Sequence, residues 1–201
     1  DLAERQGEPA ASRWRHAHQR VTDRQVEWFA GSWIALSEDG GWSWDAPRPV
    51  PVNTSHGPIR LTDGAVLYLG KEYRGRREVG TGGIACYRSD DGAESFRRLG
   101  EVPLYEGTHV KNYHEPHMVE LPGGRLLGMI RFQDHSDAPK VERLGLVSWS
   151  MMQTASDDGG RTWSPPRTLG FHGNPPHLLR HSTGRLVPSY GRRIEPFGQR
   201  V

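Results

Sequence analysis

The sequence predicts an all-β protein built from repeated four-stranded sheets, the arrangement of a β-propeller. Three observations favour this fold class. Gly (25 residues) and Pro (15 residues) are abundant for a helical protein and divide the chain into short segments. An octapeptide of the form Ser-x-Asp-x-Gly-x-Ser/Thr-aromatic occurs three times, at 37–44, 89–96 and 156–163. Hairpin-like stretches also recur at an offset of 60 residues, and four-stranded sheets at a fixed period are typical of propellers.

Composition limits the class of protein. The chain has 201 residues, a net charge of +2 and 34% hydrophobic residues, and no stretch approaches the roughly eighteen apolar residues of a membrane span. The single Cys86 lies in an apolar segment and predicts a buried, inert thiol. The charged start, Asp1 to Arg5, lacks the apolar core of a signal peptide. Localisation stays open: extracellular or periplasmic if the full-length protein carries a signal peptide, and cytoplasmic otherwise.

Residues 1–30 differ from the rest of the chain. They are balanced in charge and carry weak helical cues, of which Thr22-Asp23-Arg24-Gln25 matches a capping box. We interpret them as a long loop with one helix, or as part of a blade, where a blade is one four-stranded sheet. The repeated sheets are expected to span residues 31–201.

The three octapeptides, here called the first, second and third Asp turns, predict self-capped hairpin turns. Their Asp side chain (Asp39, Asp91 or Asp158) accepts backbone N–H groups within the turn, Gly permits a positive φ, and the closing aromatic covers its own sheet. The second copy has Ala93 in place of Gly. A calcium loop is the alternative interpretation, but the octapeptides lack the roughly twelve-residue loop and terminal bidentate Glu that it requires.

Each unit is expected to contain four strands. An inner apolar strand is followed by its hairpin partner, by a third strand that leads into the Asp turn, and by an outer strand. The outer segments 45–52 and 164–169 are rich in Pro, which blocks edge-to-edge pairing of an exposed strand.

The central stretch 112–131 predicts one β-hairpin with a charged residue at each open end. Two apolar runs flank Pro122-Gly123-Gly124, which supply the fixed φ and the positive φ of a tight reversal. Glu115 and Arg131 lie equally far from Gly123, so we expect them to be direct cross-strand neighbours about 5 Å apart at Cβ. Taken alone, this pair is more simply an exposed ion pair, worth about 0–1 kcal/mol.

Comparison of the repeats separates scaffold from site. Stretches 56–70 and 176–187 align with the central hairpin at offsets of 60 residues, and glycines coincide at the turn. Glu115 and Arg131, in contrast, align with other residue types in both copies. The fold does not demand them, so we expect a role specific to this copy.

The three Asp turns resemble the Asp-box, or BNR repeat, of the sialidase (neuraminidase) superfamily of six-bladed propellers. The run Asn-x-x-Glu-Pro-x-x-Val-Glu-Leu-x-x-Gly-Arg-Leu-Leu-x-x-x-Arg at 112–131 is similar to the sialidase blade that supplies a Glu and, sixteen residues later, an Arg. The resemblance covers residues 30–201, about three and a third blades. It implies that this chain is an internal stretch of a longer protein.

The resemblance also implies roles for individual residues. Glu115 would polarise a nucleophilic Tyr, and Arg131 would be one of three arginines that hold the substrate carboxylate. A neutral phenol suits an anomeric carbon that bears its own carboxylate, because an anionic nucleophile would be repelled. By the same resemblance, a blade with a Phe-Arg-Ile-Pro arginine and the acid/base Asp would precede residue 1. The nucleophilic Tyr would follow Val201.

The segment 189–193 adds candidates at the strand end equivalent to that of Arg131. Arg193 is the preferred source of a further carboxylate-binding arginine, ahead of Arg192 and Arg200. Tyr190 is either a substrate contact or, more simply, a packed strand residue, and the same two interpretations apply to Tyr113.

Four histidines stand near the starts of inner strands. His56 and His114 lie on the face where propellers bind ligands and are candidates for hydrogen bonds to a sugar. His117 and His177 occupy equivalent repeat positions, so we expect them to fill the same place in successive blades rather than to bind one metal ion. No metal and no cofactor are predicted.

The resemblance implies a sialidase-like exo-glycosidase that hydrolyses a terminal acidic sugar, with a carboxylate-bearing glycan as substrate. A non-catalytic propeller that binds glycan and a protein-interaction propeller are the alternatives. No nucleic-acid partner is expected. Because an incomplete ring leaves open sheet edges, we expect contact with the remaining blades or self-association.

Overall fold

The computed structural model describes residues 4, 6–74, 77–78, 80–136, 138 and 140–201. Strands dominate these residues, and two helices, α1 (Glu8–Gln19) and α2 (Asp23–Phe29), precede them. The strands are β1 Ser32–Ile34, β2 Arg48–Val50, β3 Ile59–Arg60, β4 Val66–Lys71, β5 Tyr73–Arg74, β6 Arg77–Glu78, β7 Ile84–Ser89, β8 Arg97–Glu101, β9 Tyr113–Glu120, β10 Leu126–Phe132, β11 Ser150–Ser156, β12 Arg167–His172, β13 Pro176–Arg180, β14 Leu186–Arg192 and β15 Gly198–Arg200. The prediction of an all-β fold is confirmed.

The strands form small antiparallel sheets in chain order. The first sheet is β1-β2, the second β3-β4-β7-β8, the third β9-β10-β11-β12 and the fourth β13-β14-β15, while β5 and β6 form a separate hairpin between β4 and β7. Strand β9 packs against β4 on one side and against β13 on the other. The sheets therefore stand side by side, and β9, the first strand of the third sheet, lies between β4 of the second sheet and β13, the first strand of the fourth.

The predicted repeat of 60 residues is visible in the hairpin register. Ile59 pairs with Leu67, Val119 with Leu127 and Leu179 with Val187, and each partner is 60 residues from its equivalent in the next hairpin. The turns are also alike, because Gly64, Gly124 and Gly184 each donate their N–H to the carbonyl three residues earlier. One turn geometry thus sets the register of all three hairpins.

The Asp turns join the third strand to the outer strand, as the sequence predicts. In the third Asp turn, Asp158 accepts the N–H of Thr162 at 2.9 Å, the hydroxyl of Thr162 at 2.6 Å and the hydroxyl of Ser156 at 2.8 Å. The Thr162 hydroxyl and these other donors lower the pKa of the Asp158 carboxyl to about 2. The other two turns repeat this pattern around Asp39 and Asp91. Both oxygens of each carboxylate therefore serve the turn.

Each of the last two Asp turns packs against the sheet that precedes it. A Cβ at Gly160 in the third Asp turn would lie 2.7 Å from the Sγ of Cys86, and one at Gly100 would lie 2.0 Å from the carbonyl oxygen of Arg161. In the second Asp turn, Glu94 forms an ion pair with Arg48 of β2. Cys86 is fully buried, and burial raises the pKa of its thiol to about 12, in agreement with the predicted inert thiol.

The apolar core fills the spaces between neighbouring sheets. A first cluster joins the second and third sheets and includes Leu67, Met118, Ile130 and Trp163. A second cluster joins the third and fourth sheets through Val119, Met129, Met151 and Leu178. Trp42 of the first Asp turn, in contrast, is 91% exposed.

A buried carboxylate anchors the inserted hairpin. Glu72 follows β4, is 1% exposed and accepts hydrogen bonds from Arg98 at 2.7 Å, Tyr87 at 2.8 Å and Thr81 at 3.0 Å. Burial by itself would raise the pKa of this carboxyl, but the three partners lower it to about 2. We assign this network a structural role.

The N-terminal region differs from the prediction of a loop with one helix. Residues 8–29 form two helices, because Pro9 stands in the first turn of α1 and a capping box begins α2, in which Thr22 and Gln25 cap each other. Only the second of these signals was recognised in the sequence. None of the helices in the described part of the chain has the length and apolarity that crossing a membrane requires.

Candidate functional site

The open end of the central hairpin contains a β-bulge. The register predicted around Gly123 holds from Leu126, which pairs with Glu120, to Met129, which pairs with His117. It then shifts by one residue, so Arg131 pairs with His114. The prediction that Glu115 faces Arg131 directly is therefore wrong. Glu115 and Pro116 together oppose Ile130, and Glu115 absorbs the extra residue with a φ of 35°.

The bulge nevertheless brings the two predicted side chains together. Arg131 Nη1 donates to Glu115 Oε2 at 2.7 Å, and the exposed fractions of the two side chains are 16% and 31%. Arg131 Nε and Nη2 both donate to Gln133 Oε1, at 3.0 and 2.7 Å. These bonds use three of the five guanidinium N–H groups and leave one on each terminal nitrogen. Two such N–H groups are what a carboxylate accepts in a bidentate contact.

Trp149 is a third neighbour of Arg131 that the sequence analysis missed. The guanidinium carbon of Arg131 lies 5.6 Å from the centroid of the Trp149 ring, in a cation–π contact. Trp149 stands immediately before β11 and has a φ of 54°, a conformation that large residues rarely adopt. No sequence pattern marked it, because Trp149 belongs to neither the repeat nor an Asp turn.

His114 pairs with Arg131 across the hairpin and is half-buried beside the ion pair. Its Nε2 donates to the carbonyl of Lys111 at 2.9 Å. Burial, with help from the positive charges of Lys71 and Arg131, lowers the pKa of His114 to about 4. The imidazole is therefore neutral at pH 7, and its Nε2 proton is already used by the backbone.

His56, His117 and His177 form a cluster at the junction of the second, third and fourth sheets. The rings of His117 and His177 stack at 4.1 Å, and the ring of His56 lies 5.7 Å from the first and 5.6 Å from the second. His117 Nδ1 accepts the N–H of Leu178 at 2.9 Å. Burial and the neighbouring His177 and His56 lower the pKa of His117 to about 4. His117 and His177 thus occupy equivalent register positions of successive sheets, and their rings are in contact, which the repeat did not predict.

His56 links this cluster to Glu115. Its pKa is lowered by burial and by His177, while the negative charge of Glu115 acts in the opposite direction. Its Nε2 is buried without a hydrogen-bond partner among the described residues. His56 also lines a cleft of about 440 Å³ on the fourth sheet, together with Arg192 and Arg193.

The fourth sheet places the remaining predicted residues. Arg193 is exposed at the rim of the cleft, whereas Arg192 Nη2 donates to the carbonyl of Glu195 at 2.9 Å. Tyr190 packs against the core between the third and fourth sheets and also lines the cleft, so both of its predicted interpretations stay open. Tyr113 is 1% exposed and its hydroxyl accepts from the N–H of Tyr105, so it lies in the core.

Comparisons with known proteins show the fold. No protein-family model and no curated protein matches the sequence. A protein of unknown function from Dyadobacter fermentans matches with 21% identity and a TM-score of 0.66, over 84% of this chain and 46% of its own. An α-L-arabinanase from Penicillium chrysogenum complexed with arabinobiose matches with 15% identity and a TM-score of 0.56, over 83% of this chain and 52% of its own.

An exo-β-1,3-galactanase from Phanerochaete chrysosporium also matches, with 12% identity and a TM-score of 0.52, over 80% of this chain and 35% of its own. The chain therefore spans about half the length, or less, of these structures. At these identities the likeness concerns the fold, not the activity. The chain therefore shares the all-β fold of the matched part of these structures.

Proposed function

We propose that this chain forms part of the sugar-binding and catalytic face of a sialidase-like exo-glycosidase that acts on a terminal acidic sugar. The observation that carries the proposal is the strained position of Glu115. A Glu in a left-handed conformation costs about 1–2 kcal/mol, and such strain concentrates at functional sites. An ordinary surface ion pair would not need it.

Arg131 supplies the recognition of the acid. Its side chain is only 16% exposed, and the guanidinium keeps one N–H on each terminal nitrogen after bonding to Glu115 and Gln133 of the described residues. A sugar carboxylate accepting both would form a charge-assisted bidentate contact, about twice as strong as a neutral one. Arg193, exposed on the neighbouring sheet, is the proposed second partner of the same carboxylate.

Glu115 supplies the base. In a sialidase-like reaction Glu115 takes the phenol proton as a Tyr attacks the anomeric carbon, while the glycosidic bond breaks and the acid/base Asp protonates the leaving oxygen. The ion pair with Arg131 fixes the Glu115 carboxylate beside the sugar. The Tyr nucleophile and the acid/base Asp are not assigned to any residue of this chain. His56, which interacts with the charge of Glu115 and lines the adjacent cleft, is proposed as a hydrogen-bonding contact to the sugar.

A glycan-binding propeller without catalysis is the second candidate. It is favoured by the ion pair itself, because in this structure Glu115 already has a partner and contacts no tyrosine hydroxyl of the described residues. In that case Arg131 would still bind an acidic sugar, and Glu115 would only orient it.

Turnover by the polypeptide of the complete reading frame separates the two candidates. The substrates are an aryl sialoside and an aryl glucuronide, and the variants are Glu115→Gln, Arg131→Lys and the exposed control Arg125→Lys. Glu115→Gln should melt close to the parent and lower kcat by about 10²–10⁴. Arg131→Lys keeps the charge but loses the planar fork, and should raise KM or lower kcat far more than Arg125→Lys.

Two results would contradict the proposal. Normal turnover by Glu115→Gln removes the catalytic role and favours the binding module. Parent-like binding and turnover by Arg131→Lys would show that Arg131 does not bind the sugar carboxylate.

A further inference from the structure

Backbone strain in this chain is concentrated around one side chain. Three non-Gly residues in the described part of the chain have a positive φ: Ala93, Glu115 and Trp149. Ala93 stands at the Gly position of the second Asp turn, so its conformation belongs to the repeat. The other two both contact Arg131, Glu115 through the ion pair and Trp149 through its ring. The strain thus accumulates on both sides of the same guanidinium.

The protein holds Trp149 in this conformation from both sides. The carbonyl of Trp149 accepts the N–H of Gly173 at 2.8 Å. The hydroxyl of Ser148 accepts the N–H of Asp134 at 2.9 Å, and the hydroxyl of Ser150 donates to the carbonyl of Val147. A left-handed backbone costs a non-Gly residue about 1–2 kcal/mol, and these three hydrogen bonds offset that cost.

The positive φ of Trp149 does not serve to bury its ring. Trp149 remains 38% exposed, while Ser150 and Met151, which follow it, are fully buried. Support of Arg131 requires only the ring face that the guanidinium covers, so the rest of the indole could have been buried without loss of this contact. An exposed aromatic surface beside a carboxylate-binding arginine offers two kinds of contact to one ligand, polar and apolar.

We propose that Trp149 is a substrate-contact residue. Its exposed surface stacks on the C–H face of a pyranose ring while Arg131 binds the carboxylate on that ring. The ligand class is an acidic pyranoside with one apolar ring face, such as a glycoside of a uronic or sialic acid; the acidic nature of this sugar rests on the proposed function. Trp149 orients the sugar ring, and Arg131 selects a ring that carries a carboxylate.

Binding of three methyl glycosides tests this inference. The probes are a methyl α-sialoside, a methyl β-glucuronide and its neutral counterpart methyl β-glucoside, titrated against the parent, Trp149→Ala, Trp149→Phe and Trp33→Ala. Trp33 is the matched control, since it is 39% exposed and lies on the first sheet. We expect Trp149→Ala to weaken binding of an acidic glycoside by about 10-fold or more, since stacking and cation–π contacts are both lost. Trp149→Phe should restore most of the affinity, and Trp33→Ala should bind as the parent.

Each other outcome overturns a defined part of the proposal. Parent-like affinity of Trp149→Ala overturns the contact. Failure of Trp149→Phe to restore affinity, together with a lowered melting temperature in both variants, shows a structural role and also overturns it. If the parent binds glucoside as tightly as glucuronide and Trp149→Ala weakens both, the contact stands and the acidic-sugar function fails. A parent that binds none of the three glycosides overturns both.

Discussion

Glu115 Oε2 lies 2.7 Å from Arg131 Nη1 even though the residue that faces Arg131 in the register is His114. The bulge moves the backbone of Glu115 by one position, and its left-handed conformation returns the carboxylate to the guanidinium. The contact is therefore a product of an irregular strand end. A regular hairpin would have brought the same residues together without strain.

The strain at Glu115 reverses the usual preference between Ala and Gly. Glu115→Ala and Glu115→Gly both remove the ion pair, but only Gly relaxes at a φ of 35°. We expect Glu115→Gly to be more stable than Glu115→Ala by about 0.5–1 kcal/mol, measured by urea unfolding. The same two substitutions at Glu120 in β9 are the control and should show Ala as the more stable residue. The same order at both positions would mean that Glu115 is not strained.

The contact between the third Asp turn and the second sheet depends on the absence of a side chain at Gly160. Gly159 and Gly160 both have positive φ (72° and 92°), but a Cβ only at Gly160 would lie within 3 Å of a neighbouring sheet. Gly160→Ala should therefore destabilise the protein by about 1–3 kcal/mol more than Gly159→Ala.

Cys86→Ala provides a second check, because it removes the Sγ that the new methyl group would meet at 2.7 Å. Thermal melts of the double variant should recover part of the loss. Equal melting temperatures of the two Gly variants would argue against this close approach.

The histidine cluster makes stability depend on pH. The pKa of His117 is lowered from 6.5 to about 4 by burial and by the neighbouring histidines, so the unfolded chain binds a proton that the folded chain does not. Its contribution to stability is complete above pH 6.5 and is lost as the pH falls towards 4, by an amount on the order of 1–3 kcal/mol.

His117→Asn can keep the acceptor for the N–H of Leu178 and removes the titrating group. Melting temperatures between pH 7 and pH 4 should fall less in this variant than in the parent, while the exposed control His16→Asn should follow the parent. Parallel curves for all three proteins would exclude His117 as the origin of the acid sensitivity.

The repeated features could be predicted from the sequence because each is local. The hairpins follow from apolar runs on either side of Gly64, Gly124 and Gly184, and their register is set by the turn. The Asp turns follow from hydrogen bonds within eight residues, and the confirmed contacts of Asp158 are of this kind. The contact of Glu115 with Arg131 was predicted for the same reason, from equal distance to Gly123.

The features that sequence analysis missed depend on contacts distant in the chain or on an irregular backbone. The bulge at Glu115 has no sequence signal, because Glu is not a residue that favours a positive φ. Trp149 reaches Arg131 from the start of another strand, and His56 reaches His117 from another sheet. The first contact depends on the irregular backbone before β11, and the second depends on how two sheets stand beside one another. No pattern within one repeat records either.

The position of the Asp turns has a consequence for how such chains can change by recombination. The third Asp turn contacts the second sheet through Gly160 and Arg161, so the joint between two units is formed by residues of the later unit meeting the earlier one. A 60-residue unit therefore carries its own connector, and duplication or exchange of a whole unit transmits a fitting joint with it. A crossover between the third strand and its Asp turn would instead separate the connector from the sheet that positions it. Chimeras cut at the hairpins should fold, and chimeras cut at the Asp turns should not.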